Sequence, residues 1–424
     1  MCKKTKILIL TGILFLLMGC SNLSGSDSKR VTKNVKESNA EERIVLRIIS
    51  PYSESNTDGF TRCFNQAVEM AKEEFSEYEI VNESYNTEIY KTKAKIGMAS
   101  LEDFDIFFSW SEGYLKPFAE SGYVYPLNHL LEESGYDLTE SDQWEGLIFD
   151  DVIYGVSLYD WCGVLYYNPY LFNQLNLEPP STWEELVEDC RQIREYGFVP
   201  FALGMKDSWT GHIFVNQMLL QLVGADEYKK IANGESSADY DVWLTIGRYI
   251  RELVDCGAFS GGYFNATNDD EVSSFLKGYR AMMFNGSIYG LDKDDKNIAV
   301  TSFPLLKECK YDNDYLGKSS FGLCINSRSE HPKEAFEVMM YIVKNSVGLS
   351  DLISPWKKTE EQPQTSVGKE CLNILDKGKG WGTNFDVLLP AEQKVEFLNI
   401  VVKLFEGTYN EAQFADKMVA CFSS

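Results

Sequence analysis

Four short runs set an aromatic ring beside a carboxylate, an amide or a small residue: Trp110-Ser111-Glu112, Tyr159-Asp160-Trp161, Asp207-Ser208-Trp209 and Asn285-Gly286-Ser287-Ile288-Tyr289. A sugar has apolar C–H faces that lie flat on a ring, and vicinal hydroxyls that pair with carboxylates and amides. A saccharide pocket therefore wants these residue types together. Taken singly, any Trp could plug the core with its indole N–H satisfied. Phe, Trp and Tyr make up 13% of the chain, so the set carries the argument rather than any one member.

Bond-breaking chemistry has fewer parts. His129, His212 and His331 lie far apart and in no H-E-x-x-H arrangement, which leaves a zinc hydrolase or a His-based triad without a base. No G-x-S-x-G elbow, phosphate-binding loop or G-x-G-x-x-G follows a strand pattern. Asp103/Asp105 and Asp150/Asp151 could be written as glycosidase carboxylates, but among 64 acidic residues such neighbours arise by chance. The cysteines show no C-x-x-C pair and no zinc spacing, so neither a metal nor a cofactor is expected. Eight of the ten, from Cys63 to Cys421, fall in the body of the chain. Cys162, Cys190 and Cys324 sit in apolar patterns and read as buried thiols; no bridge is assigned.

The first twenty residues constrain location. Lys3, Lys4 and Lys6 precede an apolar run, Ile7 to Leu17, that is short for a membrane span, and Gly19-Cys20 follows. That order resembles the bacterial lipoprotein leader: residues 1–20 would be a signal peptide, and Cys20 the lipid-bearing first residue of an extracytoplasmic chain. Residues 21–42 are Ser, Asn, Lys and Glu with little to bury, and read as a flexible linker. The formal charge is −24, and losing Lys3, Lys4 and Lys6 takes it to −27. Such a field repels nucleic acid, so no nucleic-acid partner is expected.

Elements must hold the aromatic loops in place. Ile44 to Ile49 reads as a strand, and Phe60, Phe64, Ala67, Val68, Ala71 and Phe75 share one face of a helix. Tyr78 to Val81, Glu88 to Met98 and Phe104 to Phe108 continue as strand, helix and strand, which predicts α/β architecture with a parallel sheet. Ligands in such sheets sit beyond the carboxyl ends of strands, so Ser50 to Asn56 and Ser109 to Glu112 become candidate site loops. In the second half, Gly163 to Tyr167 reads as a strand. Pro179-Pro180 then blocks an early helix start, Ser181-Thr182-Trp183-Glu184-Glu185 offers a capping box, and Gly197 ends the helix before a strand at Val199 to Leu203.

Longer stretches resemble a known family. They are Tyr154-Gly155-Val156-Ser157-Leu158, Leu165-Tyr166-Tyr167-Asn168, Leu171-Phe172 and Pro179-Pro180-Ser181-Thr182-Trp183-Glu184-Glu185-Leu186. Phe275, Gly278, Ala281-Met282-Met283, Asn285-Gly286-Ser287, Phe303-Pro304, Gly322 and Pro332-Lys333-Glu334-Ala335-Phe336 follow in order. Together with Asp105-Ile106-Phe107, Gly122 and Pro126-Leu127, they are similar to the extracellular solute-binding proteins of ABC importers, of the maltose-binding type. The resemblance implies a two-lobed, periplasmic-binding-protein-like (type II) fold with a hinge and a ligand cleft. Lobe one would take 43–157 plus 324–348, and lobe two 158–323 plus 349–424.

By the same resemblance, ligand would meet Trp110, Glu112, Asp160, Trp161, Trp209, Gly286 and Ser287, with Tyr159 and Tyr289 beside them. Glu54 is the choice within the first loop and Trp381 the late aromatic. Two departures stand out. Many relatives carry Trp directly after the Gly-Ser pair, where this chain has Ile288 and then Tyr289, and residues 354–384 match poorly. The implied function is capture of a carbohydrate, with an oligosaccharide as the expected cargo, by a lipid-anchored monomer that delivers it to the transmembrane subunits of an ABC importer, with no catalysis. The alternatives are an exported carbohydrate-active hydrolase, or the same fold with a peptide, polyamine or phosphorylated solute as cargo.

Overall fold

A computed structural model describes residues 43–54, 59–100, 104–136, 145–289, 296–318, 321–349, 351–354 and 363–423. The leader, Cys20, the 21–42 linker and Asp103 lie outside the described residues.

The chain begins β1 (Val45–Ser50), α1 (Gly59–Glu74), β2 (Glu79–Ser84), α2 (Thr87–Ser100) and β3 (Ile106–Trp110). The short pieces α3 (Lys116–Glu120), α4 (Asn128–Ser134), β4 (Ile148–Phe149) and β5 (Val152–Ile153) lead to β6 (Val156–Tyr159). Next come β7 (Gly163–Tyr167), α5 (Pro169–Leu175), α6 (Trp183–Glu195), β8 (Val199–Phe201), α7 (His212–Val223), α8 (Ala225–Ala232) and α9 (Tyr240–Asp255). After them run α10 (Asn268–Leu276), β9 (Arg280–Gly286), β10 (Ala299–Thr301), β11 (Asp314–Leu316), β12 (Phe321–Ile325) and α11 (Pro332–Leu349). The chain closes with α12 (Ser366–Lys377), β13 (Gly380–Gly382), α13 (Phe385–Leu388), α14 (Ala391–Glu406) and α15 (Glu411–Phe422).

Local chemistry explains several of these boundaries. In α1 the apolar spacing puts Phe60, Phe64, Ala67, Val68 and Ala71 on the buried side, which packs on α11. In α6 the Thr182 side chain accepts from the Glu185 N–H at 3.3 Å, while the Glu185 carboxylate accepts from the Thr182 N–H at 3.2 Å, so the expected capping box is present. Gly197 follows with φ +90°, a left-handed turn that glycine makes without a Cβ clash.

The first sheet runs β2-β1-β3-β12-β6, and the second β10-β7-β9-β8. Only part of the first is parallel: β1 pairs in parallel with β2 and β3, but β12 runs antiparallel to both β3 and β6. The alternation of strand and helix over the first three strands forecasts their βαβ units. It is silent about β12, a strand that arrives from far along the chain and runs the opposite way. The second sheet is mixed too, with β7 antiparallel to β9 and β10, and β8 parallel to β9.

β6 ends in the first sheet at Tyr159 and β7 begins in the second at Gly163. The chain therefore passes between sheets at 160–162, where isolated bridges join Asp160 to Ile353 and Cys162 to Gly317. It re-enters the first sheet at β12, after β11 of the separate β11–β13 pair. The cysteines of the body are free thiols, and Cys162, Cys190 and Cys324 are buried as their patterns suggest. Burial pushes the Cys324 and Cys190 thiols far up, so they stay protonated at any neutral pH.

Candidate ligand-binding cavity

Strand register builds an aromatic row. Phe321, the first residue of β12, lies opposite Trp110 at the end of β3 and opposite Tyr159 at the end of β6. The Phe321 ring is 5.6 Å from Tyr159 and 5.8 Å from Trp161, which lies nearly parallel to it at 10°. Phe108 packs edge-on against Trp110 at 4.8 Å, and Tyr52, from the loop after β1, packs edge-on against Phe108 at 5.4 Å. These rings occupy the carboxyl ends of β1, β3 and β6, where α/β folds carry their sites.

They floor a cavity of about 410 Å³. Its other walls come from the second half of the chain: Trp209 from the loop after β8, Phe284 to Gly286 from the end of β9, then Ile288 and Tyr289. Gly286 lets the Trp161 ring lie against the strand, because a Cβ there would stand 3.2 Å from Trp161 Cε3. An amide network fixes the polar wall. The Asn268 N–H donates to Asp207 at 2.8 Å, Asn268 Nδ2 donates to the Tyr289 hydroxyl at 3.1 Å, and Asn285 Nδ2 donates to Asn268 at 3.0 Å. Thr267 starts α10 with its own capping box, which holds Asn268 at the helix entry. Asn384 Oδ1, shielded on the cavity wall, meets no hydrogen-bond donor among the described residues, so a ligand hydroxyl or water can serve it.

Charge is also present. Asp386 lies 3.2 Å from Nε2 of His212, which is fully buried at the start of α7. Burial alone would raise the Asp386 carboxyl, but His212 beside it and the nearby Lys91 and Lys394 ammonium groups outweigh that and hold the pKa down at about 2. Lys91 Nζ pairs with Glu88 at 2.9 Å and stands 5.3 Å from the centre of the Trp110 ring.

Of the residues expected at a site, Trp110, Tyr159, Trp161, Trp209, Gly286 and Tyr289 line this one cavity. Five others do not line it. Glu54 is exposed, and the wall contact from its loop is Tyr52 instead. Glu112 adopts φ +50° and gives its N–H to the Gly146 carbonyl at 2.8 Å, in the turn behind Trp110. The Asp160 N–H donates to the Ile353 carbonyl at 2.9 Å in the bridge between segments. Ser287 is buried, and its hydroxyl accepts from the Cys162 N–H at 3.0 Å, pinning β7 to β9. Trp381 belongs to the β11–β13 pair, packs against Tyr315 at 5.9 Å and lies under the Lys318 ammonium.

Sequence reasoning missed Tyr52, Phe321, Asn268, Asn384 and Asp386. Tyr52 lay within a loop already marked by topology. Phe321 gave no signal, because its partners Trp110 and Tyr159 are remote in sequence. Among the described residues, no group of three or more His, Cys, Asp or Glu is placed to hold a metal ion. No described helix is long and apolar enough to cross a membrane.

Comparison with known proteins accords with this arrangement. The sequence model of the bacterial extracellular solute-binding protein family matches residues 58–347. An uncharacterized ABC transporter extracellular-binding protein of Pyrococcus horikoshii is 24% identical over 386 residues, which is 88% of each chain. A solved structure from a study of xylan utilization by Caldanaerobius polysaccharolyticus superposes with a TM-score of 0.81 at 23% identity, covering 89% of this chain and 99% of that one. A chitin oligosaccharide binding protein superposes at 0.78 with 20% identity, covering 90% and 98%. The fold is thus that of the two-lobed solute-binding proteins of the maltose-binding type.

Proposed function

The chain belongs to the bacterial extracellular solute-binding protein family, and we propose that it captures a saccharide longer than one ring and delivers it to the membrane subunits of an ABC importer. The observation that carries this reading is that the Trp110–Phe321–Tyr159 row, Trp161 stacked on Phe321, and Trp209 line one cavity, with the Asp207–Asn268–Asn285 network beside it. Flat rings receive the C–H faces of a sugar, and fixed amides and carboxylates receive its hydroxyls. The relatives point the same way, since one was solved in a study of xylan utilization and another binds chitin oligosaccharide.

The mechanism is a population shift. The row stands on the first sheet, while Trp209, Asn285 and Gly286 stand with the second. A ligand touching both has its full set of contacts only when the lobes are closed, and that difference in affinity stabilises closure. Lobe one would be the expected 43–157 plus 324–348 widened to Tyr159 and back to Phe321, because β6 and β12 of the first sheet run to those residues, and lobe two would be the segments between and after them. Cys20 would carry the lipid that keeps this monomer at the membrane face, with the importer's transmembrane subunits as its partner. No hydrolytic step is assigned.

A thermal-shift screen with neutral and acidic oligosaccharides tests the reading. Ligand that binds only the folded state raises the transition in proportion to the logarithm of its concentration. A saccharide that does so and is recovered intact supports capture. If peptides or polyamines shift the transition and no saccharide does, the cargo assigned here is wrong.

A further inference from the structure

Beside the main cavity lies a second space of about 410 Å³, which shares Glu88, Lys91, Trp209 and Asp386 with it. Three lysines meet there, Lys91, Lys95 and Lys394, in a chain whose formal charge is −24. The two carboxylates in the annex are already engaged: Glu88 pairs with Lys91 at 2.9 Å, and Asp386 with His212 at 3.2 Å. The ammonium groups of Lys95 and Lys394 have no carboxylate within ion-pair distance among the described residues. Lys394 is half-buried, and burial together with the Lys95 and Lys91 charges pulls its pKa below the ordinary lysine value against the attraction of Asp386.

Two lysines come from one side of the cavity and one from the other. Lys91 and Lys95 are on α2, which packs on β1 of the first sheet. Lys394 is on α14, which packs on α7 and α9 beside the second. Like charges facing one another across a gap oppose its closing, and an anion placed between them reverses the sign of that interaction.

From this convergence of Lys91, Lys95 and Lys394 beside the aromatic cavity, we propose that the cargo is an acidic saccharide whose anionic group, a sugar carboxylate or a phosphate ester, enters the annex while its rings lie on the aromatic row. The proposal rests on the saccharide reading above and narrows it. The Trp209 ring borders both spaces, so a sugar stacked there brings a substituent of the same or the next residue to the lysines. Charge-assisted contacts of this kind exceed neutral hydrogen bonds in strength, and partial exposure makes them sensitive to salt.

Isothermal titration of the mature chain tests it with matched probes: neutral xylo- and gluco-oligosaccharides, xylo-oligosaccharides bearing a glucuronate branch, oligogalacturonates and hexose phosphates. An acidic probe should bind roughly tenfold or more tighter than its neutral counterpart in dilute buffer, a preference that shrinks at high salt. In a Lys95→Gln, Lys394→Gln double variant the ratio of acidic to neutral affinity should fall toward one. Both side chains are exposed or half-exposed, and an unchanged unfolding transition without ligand verifies the fold. A preference for uronates identifies a carboxylate as the source of the anion, and one for hexose phosphates identifies a phosphate ester. Equal binding of neutral and acidic probes, or a preference that survives the double variant, overturns the annex and leaves the saccharide reading standing. Failure of every saccharide to bind overturns that reading and this proposal with it.

Discussion

Replacing Trp209 with Ala separates a ligand platform from a core plug. The ring is half-buried on the cavity wall, so it keeps exposed area for a sugar to cover. A Trp side chain offers roughly 150–250 Å². If ligand covers about 80 Å² of it, a transfer value of about 25 cal/mol per Å² gives about 2 kcal/mol. That corresponds to about a 30-fold rise in Kd. Calorimetric titration with the saccharide found by the thermal screen measures the affinity, and thermal unfolding without ligand measures what the ring does for the fold. Trp183 supplies the contrast: it is 1% exposed, donates its indole N–H to Glu252 at 3.0 Å and starts α6, so Trp183→Ala should cost about 3–5 kcal/mol of stability. The reasoning is refuted if Trp209→Ala destabilises the ligand-free protein as Trp183→Ala does while its Kd stays put.

Gly286→Val should push the Trp161 ring off the strand, because a Cβ alone already comes within 3.2 Å of it; ligand affinity should drop about tenfold with a shifted tryptophan emission, and unchanged affinity would remove Trp161 from the site. Asp189 is buried on α6, its Oδ2 has no hydrogen-bond partner among the described residues, and burial followed by the Glu185 and Glu188 charges lifts its pKa to about 7. The folded state then holds a proton that the unfolded chain has lost, so stability present below about pH 4 is lost as pH rises toward 7. Asp189→Asn should therefore unfold at a higher temperature than the parent at pH 8 and show no advantage at pH 4; parallel pH curves would contradict this. Cys20→Ser should leave ligand binding intact and release the protein from the membrane fraction, and retention without lipid would return Cys20 to the status of an incidental residue.

What could be read from the sequence was mostly local. The Thr182–Glu185 capping box and the Phe60-to-Ala71 face of α1 depend on residues three or four apart, so a linear reading finds them. The antiparallel entry of β12 depends on partners far along the chain, and nothing near Phe321 announces them. The same division runs through the site. Aromatic residues beside polar ones were visible as types, and Trp110, Trp161 and Trp209 do face one cavity. Ser287 looks from sequence like a ligand hydroxyl, but the Cys162 N–H, brought beside it by β7–β9 pairing, takes that hydroxyl up. Lys95 and Lys394 resemble any solvated lysines on amphipathic helices, and only packing places them across from each other.

The passage at 160–162 has a consequence for how such a protein can change. Trp161 stands in the connection itself: its carbonyl accepts from the Lys318 N–H at 3.0 Å, and the return strand passes so near that a Cβ at Gly317 would lie 2.3 Å from that oxygen. One residue thus supplies a ring to the cavity wall and a carbonyl that ties the 160–162 passage to Lys318, so under the proposed function it would act both on ligand and on the joint between lobes. Under the proposed function, a substitution that retunes the ring for a different sugar would also alter the joint, coupling selectivity to the speed of capture and release at Trp161. Trp209, held on a loop away from the connection, is free of that coupling. Divergence toward new cargo should proceed more readily through Trp209 and its neighbours, with Trp161 and Gly317 changing as a pair.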